Sequence, residues 1–125
     1  MTALADTNAV LAYLLPDRPL ERAMVAVWVE QHGPLSITEG VFTEVCWVLG
    51  TGPAPDRAAL AEDVRRLMAS SSFLLWDKSV VETTLRLMER HPKLAVVDCL
   101  LAARAVGGDV VVTFDHRLAA TIERM

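Results

Sequence analysis

Residues 2–15, TALADTNAVLAYLL, place a single carboxylate, that of Asp6, inside a run of apolar and small side chains. Residues 3–5 predict a short strand. The run after Asp6 predicts a helix from about Thr7 that ends before Pro16, because proline disrupts a helix interior. Asp6 therefore falls at the carboxyl end of the first strand. A carboxylate beside a buried strand is costly unless a positive group meets it, so the first question about function is what Asp6 meets.

The rest of the chain alternates short strands with helices. Strands are predicted at 35–37, 72–76 and 110–114, the last as a buried β-branched strand, and helices at 20–32, 38–49, 57–69, 78–91, 96–106 and 116–124. This alternation predicts an α/β fold, a short parallel sheet of about four to five strands with helices on both faces. A chain of 125 residues that is 53% apolar is expected to form one domain, residues 1–125.

Composition narrows the classes of function. The N-terminus lacks a basic region, and no run approaches the roughly 18–20 apolar residues of a membrane span, so a cytoplasmic protein is expected. The net charge of −4 means that any nucleic-acid contact must use a local basic patch. Cys46 and Cys99 lie in apolar helical patterns and are expected to be buried free thiols. A mean hydropathy of +0.34 favours a homodimer or another partner that covers apolar surface.

Four acids lie against apolar runs: Asp6, Glu44, Asp98 and Asp115. Each has an ordinary structural explanation. Asp6 and Asp115 are able to cap the helices that follow them, Asp98 suits the first turn of its helix, and Glu44 is able to reach solvent from the edge of an apolar stripe. Asp6 and Asp115 also follow the first and last predicted strands, and ligands of parallel α/β sheets bind beyond the carboxyl ends of strands.

Taken together, the four acids favour a metal site. Four converging carboxylates repel one another, and no lysine or arginine lies in the apolar runs beside Asp6, Glu44 or Asp98. A divalent cation would satisfy them, and an all-oxygen ligand set selects Mg²⁺, or Mn²⁺, over zinc. Glu39 is the alternative to Glu44, but SITE at 36–39 matches the S-x-x-E capping box, which assigns Glu39 to the helix start.

These residues resemble the pattern of PIN-domain ribonucleases. The shared elements are DTN at 6–8 after a short strand, a helical glutamate at 44, D-x-x-L-A-A at 98–103, and TFD at 113–115. The resemblance runs from Leu4 to about Leu118 and, in length and spacing, is closest to the VapC-type toxins of bacterial toxin–antitoxin pairs.

The resemblance implies a PIN-like fold in which Asp6, Glu44, Asp98 and Asp115 bind the metal, and Asn8 and Thr113 orient this quartet or its water. It also implies a homodimer, inhibition by a cognate antitoxin, and RNA as the substrate. Carboxylate-held Mg²⁺ would activate water for attack on a phosphodiester. Basic residues able to hold the RNA backbone are Arg57, Arg65, Arg66, Arg86, Arg90, Lys93, Arg104 and Arg117.

Two other functions fit parts of the pattern. A phosphoryl-accepting domain of the response-regulator type matches the size and the acidic strand ends. It lacks the adjacent early acids and the lysine after the last strand that this class requires. A PIN scaffold that serves only as an interaction module is disfavoured, because a site without a metal has no reason to keep four mutually repelling acids.

Overall fold

A computed structural model of the protein describes residues 2–51 and 56–125. The chain forms two units, Met1–Trp76 and Asp77–Met125. The first unit contains the elements α1 (Thr7–Leu14), α2 (Pro19–His32), β1 (Leu35–Ile37), α3 (Glu39–Gly50), α4 (Arg57–Ala69) and β2 (Phe73–Leu75). The second contains α5 (Lys78–Arg90), α6 (Val96–Val106) and α7 (His116–Glu123).

The sheet of the first unit is parallel and is centred on β1. On one side β1 pairs with β2 in the register Leu35↔Phe73. On the other side Ser36 forms a parallel bridge with Leu4, with the Ser36 amide donating to the Ala3 carbonyl at 2.7 Å. Parallel neighbours need long crossover connections, and the intervening helices supply them.

The core of the first unit lies between this sheet and its helices. Ile37 of β1, Phe42 of α3 and Val64 of α4 are almost fully buried. The rings of Tyr13 and Phe73 meet edge to face with their centroids 5.3 Å apart. The Arg66 guanidinium donates to the Leu14 carbonyl at 2.9 Å, which joins α4 to the end of α1.

The second unit is a helical assembly in which α6 packs against both α5 and α7. Its buried side chains come from one face of α5, from four residues of α6 (Cys99, Leu100, Ala102 and Ala103) and from Leu118 and Thr121 of α7. On α5 the buried residues Val81, Leu85 and Met88 recur at the spacing of one helix face, with polar residues opposite.

The α/β class with a parallel sheet is confirmed, but the predicted strand at 110–114 is wrong. Within the described residues the sheet consists of β1, β2 and the bridge at Leu4, fewer than the predicted four to five strands. Val110, Val112 and Phe114 are 89%, 90% and 100% exposed. Strand preference reflects the fit of a side chain to a pleated, half-buried surface. Residues 110–114 have no ladder partner in the described part of the chain, so their composition does not produce a strand.

The predicted capping box at 36–39 is also wrong, although α3 begins within one residue of its predicted start. Thr38 is the capping residue, and its hydroxyl accepts a hydrogen bond from the Val41 amide at 3.3 Å. Ser36 belongs to β1, where its carbonyl accepts from the Ala5 amide at 2.9 Å and its own amide donates to Ala3. Glu39 is therefore the first residue of α3 rather than the third.

No helix in residues 2–51 or 56–125 combines the length and the apolar character needed to cross a lipid bilayer.

Candidate functional site

Asp6 connects the first extended segment to α1. Its Oδ1 accepts a hydrogen bond from the Ala9 amide at 2.8 Å and so caps the helix. A carboxylate has two oxygens, and among the described residues Oδ2 receives no hydrogen bond. The side chain is exposed. The cap therefore fixes the orientation of Asp6 while leaving one oxygen available to a ligand.

Glu44 lies on α3, which packs against α1. The bridge at Leu4 and strand β1 run parallel, so Asp6 and Thr38, which follow them, lie at the same edge of the sheet. Glu44 is five residues beyond the start of α3, about 8 Å along the helix axis at 1.5 Å per residue. Its side chain is exposed, as expected for a residue that borders the apolar stripe.

Asn8 and Thr113 both take part in hydrogen bonds near the predicted acids. The Asn8 Oδ1 accepts from the Arg18 guanidinium at 3.3 Å, which places a cation against the side chain two residues after Asp6. The Thr113 hydroxyl accepts from the Asp115 amide at 3.0 Å. Thr113 thus holds the backbone of Asp115, the predicted ligand with which it shares the TFD pattern at 113–115.

Asp115 caps α7 in the way that Asp6 caps α1. Its Oδ1 accepts from the Arg117 amide at 2.9 Å and from the Leu118 amide at 3.1 Å. No hydrogen bond reaches its Oδ2 within the described parts of the chain. Asp98, by contrast, is a half-buried residue in the first turn of α6, a helix whose N-cap, Ala95, has no capping side chain.

The starts of α6 and α7 lie at the same end of the second unit. The Arg117 guanidinium, in the first turn of α7, reaches the Lys93 carbonyl at 3.5 Å. Lys93 is three residues before Val96, where α6 begins. The two helices pack against each other. Asp98 and Asp115 therefore share one end of this unit, at the amino ends of two helices whose dipoles favour negative charge.

The donor set fits a hard divalent ion, because all four predicted ligands offer carboxylate oxygens. The structure brings Asp6 and Glu44 to one pair of packed helices in the first unit and Asp98 and Asp115 to another pair in the second. In residues 2–51 and 56–125, no three His, Cys, Asp or Glu side chains form a group able to hold a metal ion. The quartet of ligands stays a prediction.

The two cysteines are buried and free, as predicted. Burial raises the pKa of the Cys46 thiol to about 12, with the positive charge of Arg57 opposing the shift. Since the thiolate is the nucleophilic form, Cys46 is not a candidate for covalent catalysis at neutral pH.

One concave feature is not predictable from sequence. Arg90, Lys93 and Arg117 line a groove between the end of α5 and the face of α7. The short separation of Arg90 and Lys93 in the sequence was the only feature that indicated a cluster of cations in this region. The approach of Arg117, 24 residues beyond Lys93, depends on how α7 packs.

Comparison with known proteins identifies the family. The sequence profile of the PIN domain matches residues 3–123, which include all of α1–α7 and nearly all of both units. Neither a curated protein nor a solved structure gives a significant match. Because the profile covers nearly the whole chain, the protein belongs to the PIN domain family.

Proposed function

We propose that the protein is a Mg²⁺-dependent endoribonuclease that hydrolyses RNA phosphodiesters and acts as the toxin of a toxin–antitoxin pair. PIN domains are generally nucleases, so membership of the family supports a hydrolase that acts on nucleic acid. The observation that carries the proposal is the position of Asp98 and Asp115 at adjacent helix starts.

The proposal assigns metal binding to Asp6, Glu44, Asp98 and Asp115. Bound Mg²⁺, or Mn²⁺, would supply a water of lowered pKa and neutralise charge on the leaving oxygen. The chain's own part is positioning. Backbone amides hold one oxygen of Asp6 and one of Asp115, and Thr113 holds the Asp115 backbone. The amino ends of α6 and α7 favour an anionic phosphate beside these acids.

We further propose that the two units act as one PIN domain, residues 1–125, because the family match crosses the boundary between them. The placing of helices on both faces of the short parallel sheet belongs to this proposal.

The toxin assignment includes a homodimer and a cognate antitoxin. The support for a partner is α2, whose Leu20, Met24 and Val27 are all more than half exposed. None of the residues of this helix is buried within the described structure. An apolar helix face of this kind is typical of a protein interaction site.

Cleavage of RNA by purified protein tests the proposal. We expect cleavage with Mg²⁺, none with EDTA, and fragments with 5′-phosphate and 3′-hydroxyl ends, since water forms the new bond to phosphorus as the bond to the 3′-oxygen breaks. Cyclic phosphate ends would indicate attack by the ribose 2′-hydroxyl and would overturn the mechanism. Absence of cleavage with both Mg²⁺ and Mn²⁺ would favour the alternative function, an inactive PIN domain that serves only as an interaction module.

Asp98→Asn separates a ligand from a structural residue. We expect cleavage to fall by at least about 100-fold, as for a group that stabilises the transition state. In EDTA the free energy of unfolding should stay unchanged or rise by at most about 1 kcal/mol, because relief of carboxylate repulsion opposes the lost helix-dipole interaction. The rise in Tm with added Mg²⁺ should shrink. The matched control is Glu39→Gln, which should leave cleavage and the Mg²⁺ response intact.

If Asp98→Asn destabilises the protein in EDTA, retains its Mg²⁺ response and still cuts RNA, then Asp98 is structural and the quartet is wrong.

A further inference from the structure

The groove in the second unit, referred to below as the basic groove, encloses about 380 Å³ and is lined by Arg90, His91, Pro92, Lys93, Leu94, Arg117 and Thr121. Three of its lining side chains are cations, and none carries a carboxylate. Of these, Leu94 and Thr121 are buried. A volume of this size is at the small end of the range for ligand pockets, roughly 300–1,000 Å³.

The cations of the basic groove lack acidic partners. Elsewhere in the chain Arg66 pairs with Asp63 at 3.6 Å and Arg104 with Asp109 at 3.4 Å. In the described ranges no ion pair forms with Arg90, Lys93 or Arg117. The Arg117 guanidinium makes one long hydrogen bond, to the Lys93 carbonyl, which leaves most of its N–H groups available to a ligand.

Overall charge does not account for this cluster. Residues 77–125 contain seven Lys and Arg against seven Asp and Glu, and residues 1–76 contain five against nine. Three like charges around one groove, in a unit with no net charge, repel one another and favour a bound anion. These three cations form a local basic patch of the kind that an acidic nucleic-acid-binding protein requires.

The basic groove adjoins the acids of the second unit. Arg117 is two residues beyond Asp115, and its amide donates to that carboxylate. Lys93 is five residues before Asp98, on the segment that leads into α6. A strand held in the basic groove is thus placed beside both predicted ligands, at the end of the unit where the two helices begin.

We propose that the basic groove binds the phosphate backbone of single-stranded RNA next to the scissile bond. This inference rests on the proposed function and extends it by assigning Arg90, Lys93 and Arg117 to substrate binding. Contacts of this kind position the strand without reading its bases, and positively charged grooves that follow the backbone are general features of single-strand binding. The basic groove should therefore set affinity and salt dependence rather than sequence preference.

Binding of a fluorescently labelled single-stranded RNA, measured by anisotropy in EDTA, tests the inference without any cleavage. The test variant is Lys93→Gln/Arg117→Gln. The control is Lys78→Gln/Arg124→Gln, which removes the same two charges from exposed positions outside the groove. We expect the test variant to bind at least about tenfold more weakly, on the scale of two lost charge-assisted contacts. The slope of log K against log salt should fall by about 1.4, at roughly 0.7 per phosphate contact.

The outcomes distinguish the two proposals. If the test variant and the control bind RNA equally while the wild-type protein cuts RNA, the basic groove does not bind substrate and the proposed function stands. If the test variant loses RNA binding but the wild type does not cut, the basic groove is an RNA site and the proposed hydrolysis is wrong. If the test variant loses binding of a labelled polyglutamate peptide and keeps that of RNA, the basic groove serves a protein partner and the inference is overturned. Thermal melts of both variants verify folding.

Discussion

The starts of α6 and α7 lie at the same end of the second unit, yet they are built in opposite ways. At α7, Asp115 caps the helix and its Oδ1 accepts two backbone hydrogen bonds. At α6, Ala95 stands in the capping position without a capping side chain, and Asp98 sits in the first turn without any hydrogen bond among the described residues. Asp115 therefore stabilises the start of its helix through hydrogen bonds, whereas Asp98 makes no such contribution in the described part of the chain.

This difference determines which substitution tests function alone and which changes stability as well. Removing Asp115 disturbs both the helix start and any bound ligand, so a loss of activity there has two explanations. Removing Asp98 breaks no hydrogen bond among the described residues and costs only its favourable interaction with the dipole of α6. A residue without a structural partner gives the clearer evidence about function, and the capping residue needs a substitution that keeps the cap.

The largest effect on stability should come from packing behind the start of α7. Leu118 is buried, and its amide is one of the two that Asp115 caps. Leu118→Ala should lower the free energy of unfolding by about 2–5 kcal/mol, because it removes buried methyl groups and leaves a cavity. Urea denaturation measures the loss. Val97→Ala, at an exposed position in the first turn of α6, is the control and should change stability by no more than about 0.5 kcal/mol.

A smaller loss is expected when the cap of α7 is removed. Asp115→Ala should cost about 1 kcal/mol of unfolding free energy, the usual value for an N-cap. Asp115→Asn should stay close to wild type, since asparagine caps as well as aspartate does, while RNA cleavage and the Mg²⁺-dependent rise in Tm should be lost in both variants. Equal losses of stability in Asp115→Ala and Asp98→Ala would remove the asymmetry between the two helix starts.

The smallest effect should be a gain at α6. Ala95→Ser supplies the missing cap at a residue whose backbone is already extended, with φ −59° and ψ 148°. It should raise the free energy of unfolding by about 0.5–1 kcal/mol. The control is Ala26→Ser, at an exposed position in the middle of α2. It adds the same hydroxyl where the backbone amides are already bonded within the helix, and it should lower stability by about 0.5 kcal/mol. A loss at position 95 would mean that the amides of α6 already have other partners.

The helices were largely predictable because local chemistry marks their ends. Asp56 before α4, and Gly107 and Gly108 after α6, gave the observed bounds to within a residue. The absence of a strand at 110–114 was not predictable, because a β-branched run forms a strand only where another strand pairs with it. Ser36 matched a capping motif, but β1 uses its backbone on both sides, a contact that no local pattern shows.

The candidate site, like the fold, was predictable only where local sequence determines the structure. The capping positions of Asp6 and Asp115 followed from their place before helices. Sequence alone left open whether they were caps or ligands. The structure confirms the caps and shows that each leaves an oxygen available. The basic groove depends on the approach of Arg117 to Lys93, a tertiary contact for which the sequence contains no signal.

The buried thiol of Cys46 is an internal reporter of unfolding. With the side chain fully buried and its pKa raised to about 12, iodoacetamide cannot alkylate it at pH 8 while the first unit stays folded, because alkylation requires an exposed thiolate. Cys99, equally buried in the second unit, responds in the same way. The order in which the two thiols become alkylated under mild denaturant would therefore show whether the two units open together or one before the other.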